Sequence, residues 1–236
     1  MKQWYSIQNN GNTAEILIYD VIGKDFWGEG VGAKEFAEEV SNLKVDTINV
    51  RINSPGGQVF EGTAIYNTLV NHVAKITVAI DGMALSAASF IAMAGDHISM
   101  AENAMMMIHD PIGISIGSAA DMRKQADMMD KAKINIIKTY QNQVEKDDQE
   151  LSDMMEQETW MTADEALGHG FIHEVTAAMK MAASYDRGIL TNYKRVPDEI
   201  TNAKENEKPD KTVTTVIKNG RSLSHLTKEI ELLEIE

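Results

Sequence analysis

Two spacings of apolar residues alternate along most of the chain. Residues 14–19, Ala-Glu-Ile-Leu-Ile-Tyr, form an apolar, partly β-branched run, and residues 47–53, Thr-Ile-Asn-Val-Arg-Ile-Asn, alternate strictly before a Ser-Pro-Gly-Gly turn; both predict strands. Between them Phe36, Val40 and Leu43 fall at helical spacing within 33–43, with acidic residues on the other side, so a crossover helix and a β-α-β unit are expected. The pattern repeats: a helix over 60–72, a strand over 74–80, a helix of small residues over 86–93 and a strand over 104–108. Strands alternating with helices predict an α/β fold.

After this block the period is purely helical. Ser118 is placed to cap a helix running to about residue 146, in which Met122, Ala126, Met129, Ile136, Ile137, Tyr140 and Val144 make one stripe. The helix is expected to stand out as an arm whose methionines face the core or another subunit, a commoner use than a promiscuous binding surface. Thr162 and Glu165 form a capping box ahead of a further helix. Beyond residue 178 apolar residues thin out and 202–210 is a charged run, read as a linker; Leu223, Leu226, Ile230 and Leu233 then share one helical stripe. The expected division is a domain over 1–178 and a polar extension over 179–236.

Composition narrows the chemistry. The 236 residues include no cysteine, which excludes disulfides, thiolate metal sites and a cysteine nucleophile. The net charge of -14 lies entirely in the body: residues 1–179 carry 12 basic and 26 acidic groups, residues 180–236 carry 10 of each. Such a surface repels phosphate backbones, so nucleic acid is not an expected partner. With no apolar stretch near the roughly 18 residues of a membrane span and no signal-peptide pattern at the start, no membrane association and a cytoplasmic location are expected. The His-x-x-Glu-His spacing of zinc sites is missing, so no metal or cofactor is expected.

Four places carry candidate chemistry. Asn53-Ser54-Pro55-Gly56-Gly57 lies between a strand and a helix, where glycines let backbone N–H groups approach a carbonyl; taken alone, the loop reads first as a plain tight turn. Asp81-Gly82-Met83-Ala84-Leu85-Ser86-Ala87 leaves a strand and enters a helix, so Ser86 is either an exposed nucleophile beside the Ala87 N–H or an ordinary N-cap. Ser89, one turn on, should face the interior. His109 ends an apolar strand before Asp110-Pro111, a placement shared by catalytic and merely structural histidines. Glu158, just ahead of the Thr162 cap, is able to orient a histidine or to be simply solvated, and Glu156 competes with it.

Taken together, Ile52-Asn-Ser-Pro-Gly-Gly57, Gly82-Met-Ala-Leu-Ser86-Ala-Ala, Met107-Ile-His109-Asp-Pro111 and Trp160-Met-Thr-Ala-Asp-Glu-Ala166 with Gly168-His-Gly170-Phe-Ile resemble the Clp protease proteolytic subunit family across residues 14–175. The resemblance implies stacked β-β-α units of the crotonase-like type with a protruding handle helix, matching the arm from Ser118. It implies a serine endopeptidase with Ser86 as nucleophile, His109 as base, Glu158 (in place of the family's Asp) as the third triad member, and the N–H groups of Gly57 and Ala87 as the oxyanion hole. It also implies protein or peptide substrates, no cofactor, and self-assembly into rings, heptameric in the family and often stacked in pairs. The segment before Ala14 lacks the family's pore-loop pattern, which leaves a Clp-type ATPase partner open. Trp4, Ile7, the run Ile18-Tyr-Asp-Val-Ile-Gly23, Ala92-Met-Ala-Gly-Asp96 and Glu158-Thr-Trp160 look more like the phage and prophage branch linked to head maturation. The competing readings are a crotonase-type acyl-CoA enzyme, which needs no nucleophilic serine, and a catalytically inactive structural or head-assembly partner, to which Glu158 in place of Asp points.

Overall fold

The computed structural model describes residues 3–24, 30–178 and 193–197. The linker expected over 202–210 and the apolar stripe over 223–236 lie outside the described residues.

Strand periodicity is realised where the sequence alternates. β1 (Tyr5–Asn10) and β2 (Thr13–Ile18) form an antiparallel hairpin closed by Gly11 at φ 70°. Along β2 and β3 (Thr47–Ser54) every second side chain is buried, putting Ile16, Ile18, Ile48, Val50 and Ile52 inside. The crossover between them is α1 (Ala33–Ser41), which turns Phe36 and Val40 inward. Phe36 meets Trp4 and Tyr5, with ring centroids 5.5 and 5.1 Å away, so an aromatic cluster seals the β1 edge. After α2 (Val59–Val70) comes β4 (Lys75–Leu85), which extends five residues past the strand end at residue 80 that the sequence suggested. It is followed by α3 (Ala87–Ala92), β5 (His97–Ala101), β6 (Met105–Ile108), α4 (Ala119–Gln141), α5 (Asp148–Glu156), β7 (Thr159–Thr162), α6 (Ala163–Gly168) and β8 (Glu174–Thr176).

The strands form one sheet whose main path runs in the order β1-β2-β3-β4-β5-β8, parallel throughout except for β1. β4 belongs to two neighbourhoods. Residues 77–80 pair with β5, whereas Met83, Ala84 and Leu85 pair with β6, which in turn pairs antiparallel with β7. The switch takes place at an irregularity: Ile52 faces Ile80, but Ser54 faces Ala84, so β4 carries extra residues around Asp81. Bulges of this kind bend a strand and re-aim its remaining residues. This one is pinned by Asp81, 2% exposed, whose carboxylate accepts from Arg51 Nε at 2.9 Å and Nη2 at 2.6 Å and from the Tyr19 hydroxyl.

α4 starts as expected at Ser118, whose hydroxyl accepts from the Asp121 N–H. It ends at Gln141, shorter than the 118–146 helix anticipated. Its apolar stripe divides: Ile136, Ile137 and Tyr140 are buried, as is Val144 just beyond the helix, while Met122 and Ala126 are exposed and Met129 is half-buried. The first half therefore projects as an arm and only the last turns pack. Among the described residues, no helix is long and apolar enough to cross a membrane. Residues 193–197 lie against the body, with Tyr193 and Val196 packed on Met83, Leu85 and Met107.

Candidate active site

Strand pairing gathers the candidate residues at one edge. β3, β4 and β6 are parallel and end together; Gly56 and Gly57 follow β3, Ser86 follows β4 and His109 follows β6. Functional groups of open α/β sheets collect at such carboxyl ends. β7 runs the opposite way, with Ile108 opposite Thr159, so the next position of that register sets Glu158 across from His109. Residues dispersed over a hundred positions thus become neighbours through three strand pairings.

At Ser86 the two readings of the sequence part. An N-cap serine accepts a hydrogen bond from its own helix, but the Ser86 hydroxyl makes no such bond. It lies 2.7 Å from His109 Nε2 instead. The Ser86 backbone is held at φ 54°, ψ -122°, in a region costly for a side chain, and its N–H donates to Met107 O at 2.9 Å, extending the β4–β6 pairing through the turn. The geometry is that of a sharp strand-to-helix elbow that projects a hydroxyl. Ser89 is fully buried and bonded to Ser86 O and the Tyr140 hydroxyl, at 2.6 and 2.7 Å. It faces the interior, as its helical position predicts.

The glycine loop touches this elbow. A Cβ on Gly56 would stand 2.6 Å from Leu85 O and 2.8 Å from the Ser86 Cβ, and one on Gly57 2.1 Å from Ile22 O. Only glycine allows such approach. Ile22 donates to Gly56 O and accepts from the Gln58 N–H, at 2.8 and 3.0 Å; the intervening Gly57 N–H has no acceptor among the described residues. Ala87 is the first residue of α3, so its N–H has no intrahelical acceptor. Gly57 and Ser86 line a cavity of 290 Å³ together with the apolar Val59, Phe90, Ile112 and Ile136, and Ala87 directly follows Ser86.

His109 is half-buried, and its pKa lies below the ordinary 6.5 because burial disfavours the imidazolium; Glu158 and Asp110 act in the opposite direction, and Lys194 adds to the lowering. The ring is therefore neutral at pH 7 and able to accept a proton from the hydroxyl beside it. Asp110 itself is paired with Lys133 of α4 at 2.8 Å.

Glu158 is buried, at 8% exposure, whereas Glu156 is exposed at the end of α5. Among the described residues Ser86 and Glu158 are the non-glycine positions with positive φ, 54° and 52°. Burial raises the Glu158 pKa, but N–H donors from Lys194 at 2.9 Å and Arg195 at 2.6 Å, the Trp160 indole at 3.2 Å and the field of His109 together bring it below the usual carboxylate value. Glu158 and His109 feel each other electrostatically, yet no hydrogen bond joins them among the described residues.

Tyr193 escaped the sequence reading. Its ring stands edge-on to His109, with centroids 5.3 Å apart, and its hydroxyl donates to Pro55 O. Burial pushes its pKa up to about 12, so the phenol keeps its proton. The available signal was an aromatic followed by Val196 inside an otherwise polar stretch, which no spacing rule connects to residue 86. His97 pairs with Glu174 at 3.1 Å and stacks on His173, away from this site. Among the described residues no group of three His, Asp or Glu side chains is placed to hold a metal ion.

Residues 8–179 match the Clp protease family. Over 129 residues the chain is 33% identical to an ATP-dependent Clp protease proteolytic subunit of Leuconostoc citreum (strain KM20), covering 53% of this chain and 64% of that protein, a little under two thirds of its length. A ClpP1 mutant from Listeria monocytogenes has a similar fold, with a TM-score of 0.59 and 21% identity over 69% of this chain and 91% of the other. The mixed α/β architecture is that of ClpP. With a match covering most of its length, the chain belongs to the Clp protease family.

Proposed function

We propose that this protein is a serine endopeptidase that cleaves peptide bonds through an acyl-enzyme on Ser86. The observation that carries the reading is the 2.7 Å contact between the Ser86 hydroxyl and the neutral His109 ring, on an elbow that does not use the hydroxyl as a cap. In the first step Ser86 Oγ bonds to the substrate carbonyl carbon as His109 Nε2 takes the hydroxyl proton. The oxyanion is received by the N–H groups of Gly57 and Ala87. Collapse breaks the C–N bond, and His109 returns the proton to the leaving amine. Water then attacks the ester, again with His109 as base, and frees Ser86. Glu158 supplies the negative field that favours the imidazolium formed in each step.

An apolar side chain of the substrate fits the cavity between Phe90 and Ile136. The exposed isoleucines 112, 114 and 116 and the exposed half of α4 support assembly with further copies of the chain, consistent with rings. Phage prohead maturation, with scaffold or capsid protein as substrate, is the setting favoured by the sequence motifs around Trp4, Ile18–Gly23 and Glu158–Trp160. An inactive assembly partner is favoured only by the unjoined Glu158 and His109. Hydrolysis of a fluorogenic peptide by wild type and His109→Ala separates the two: a loss on the order of 10³-fold or more is expected, and equal rates would refute the peptidase reading.

A further inference from the structure

The carboxylate expected to orient His109 is engaged elsewhere. Its two oxygens accept from the backbone N–H groups of two successive residues, Lys194 to Oε2 and Arg195 to Oε1. These are charge-assisted bonds, stronger than neutral ones. Arg195 Nη1 adds a bond to Gln157 O at 2.8 Å. One residue earlier, Tyr193 lines a 140 Å³ cavity with Pro55, Gly56, Gly57, Ser86 and His109. Its ring also meets Trp160 edge-on, with centroids 5.9 Å apart. A five-residue segment thereby contacts the glycine loop, the histidine and the acid of one site.

Its manner of binding differs from that of a substrate. A phenol side chain enters the cleft, and its hydroxyl is taken by the Pro55 carbonyl. The N–H groups of the next two residues face Glu158, and none of the segment's contacts brings a peptide carbonyl to Ser86. Lys194 and Arg195 are largely exposed, so the segment is held by a few bonds and by the side chains of Tyr193 and Val196, and its release does not require unfolding of the sheet.

We propose that residues 193–197 form an intramolecular brake, which narrows the cleft beside Ser86 by walling one side of it with Tyr193 and draws the Glu158 carboxylate onto its own backbone in place of His109. The inference rests on the peptidase reading. A substrate chain that runs along the Pro55 side of the elbow must displace Tyr193, and when the segment leaves, Glu158 loses two backbone donors, which frees Oε2 for the His109 ring across the β6–β7 register while Oε1 keeps the Trp160 indole. Activity is thus set by how often the segment is seated.

The test uses the full-length chain with Tyr193→Ala, Tyr193→Phe and Arg195→Pro, the last removing the N–H that bonds to Glu158. Amide hydrogen exchange at Lys194 and Arg195 reports whether the segment is seated, and the second-order rate constant for phosphonylation of Ser86 by a fluorophosphonate, in which Oγ bonds to phosphorus and fluoride leaves, reports the site. Wild type should show protected amides at both positions. Tyr193→Ala should lose that protection and be phosphonylated about tenfold faster, the factor expected if the segment is seated roughly nine-tenths of the time, with Tyr193→Phe between the two. Arg195→Pro, read at the Lys194 amide, should behave like Tyr193→Ala. Loss of protection with unchanged or slower phosphonylation would overturn the brake, as would unprotected amides in wild type. Phosphonylation absent from every variant, with the amides protected in wild type, would instead refute the peptidase reading on which the brake depends.

Discussion

The two links of the Ser86–His109–Glu158 series are built differently. Ser86 and His109 end two parallel strands that hydrogen-bond up to the turn itself, and their side chains meet at 2.7 Å. Glu158 sits on the strand-start side of the neighbouring antiparallel pair, and its oxygens are bound by N–H groups from Lys194 and Arg195 and by the Trp160 indole. Sheet pairing thus fixes Ser86 and His109, the proposed nucleophile and base, whereas in the proposed brake the engagement of Glu158 follows the seating of residues 193–197.

The strongest way to break the rigid half is at the glycine loop. Gly57→Ala places a Cβ against Ile22 O, so the backbone of the loop that lines the cavity must shift. The expected loss in kcat is on the order of 10²–10³, with a further cost in stability, measured by peptide hydrolysis and thermal melting. Wild-type rates here would show that the loop does not receive the oxyanion.

Glu158→Gln probes the second link, and its expected effect is smaller. It removes the charge that favours the imidazolium but also weakens the seat of residues 193–197, and the two consequences oppose each other. A net change within about tenfold is expected, far below the loss from a missing base. The pH profile separates the parts. Because burial lowers the His109 pKa, the acid limb of kcat/KM should lie below 6.5. Glu158 opposes that lowering, so its removal should move the limb further down, and a limb that moves up would contradict the electrostatic assignment.

The smallest effect lies away from the site. Thr162 and Glu165 satisfy each other's N–H groups at the start of α6, through bonds of 2.9 and 3.4 Å. Thr162→Ala should lower stability by about 1 kcal/mol in denaturant titration and leave the site's chemistry intact.

Much of the fold was legible because β2, β3 and α1 obey clean periods of two and 3.6, and the caps at Ser118 and Thr162 are local signals. Short strands were not: β5, β7 and β8 have three to five residues, too few for a period to emerge. The last five residues of β4 were also missed, because Asp81-Gly82 reads as a turn until Arg51 and Tyr19 supply the partners that bury Asp81. α4 carries one apolar stripe in sequence, and only tertiary packing reveals that half of it is exposed. Residues 57, 86 and 109 stood out by their motifs, but that the Ser86 hydroxyl leaves α3 uncapped and lies against His109 became visible only in the structure. Residues 193–195 were not readable at all, since two of their bonds to Glu158 are made by backbone N–H groups, which nearly every residue type possesses.

The most direct test of the central assignment is intact-mass spectrometry of wild type and Ser86→Ala after fluorophosphonate treatment, with the oligomeric state recorded on the same samples. The expected result is one adduct per wild-type chain and none on the variant. An unlabelled wild type, or equal labelling of both chains, would contradict the assignment of Ser86 as the nucleophile.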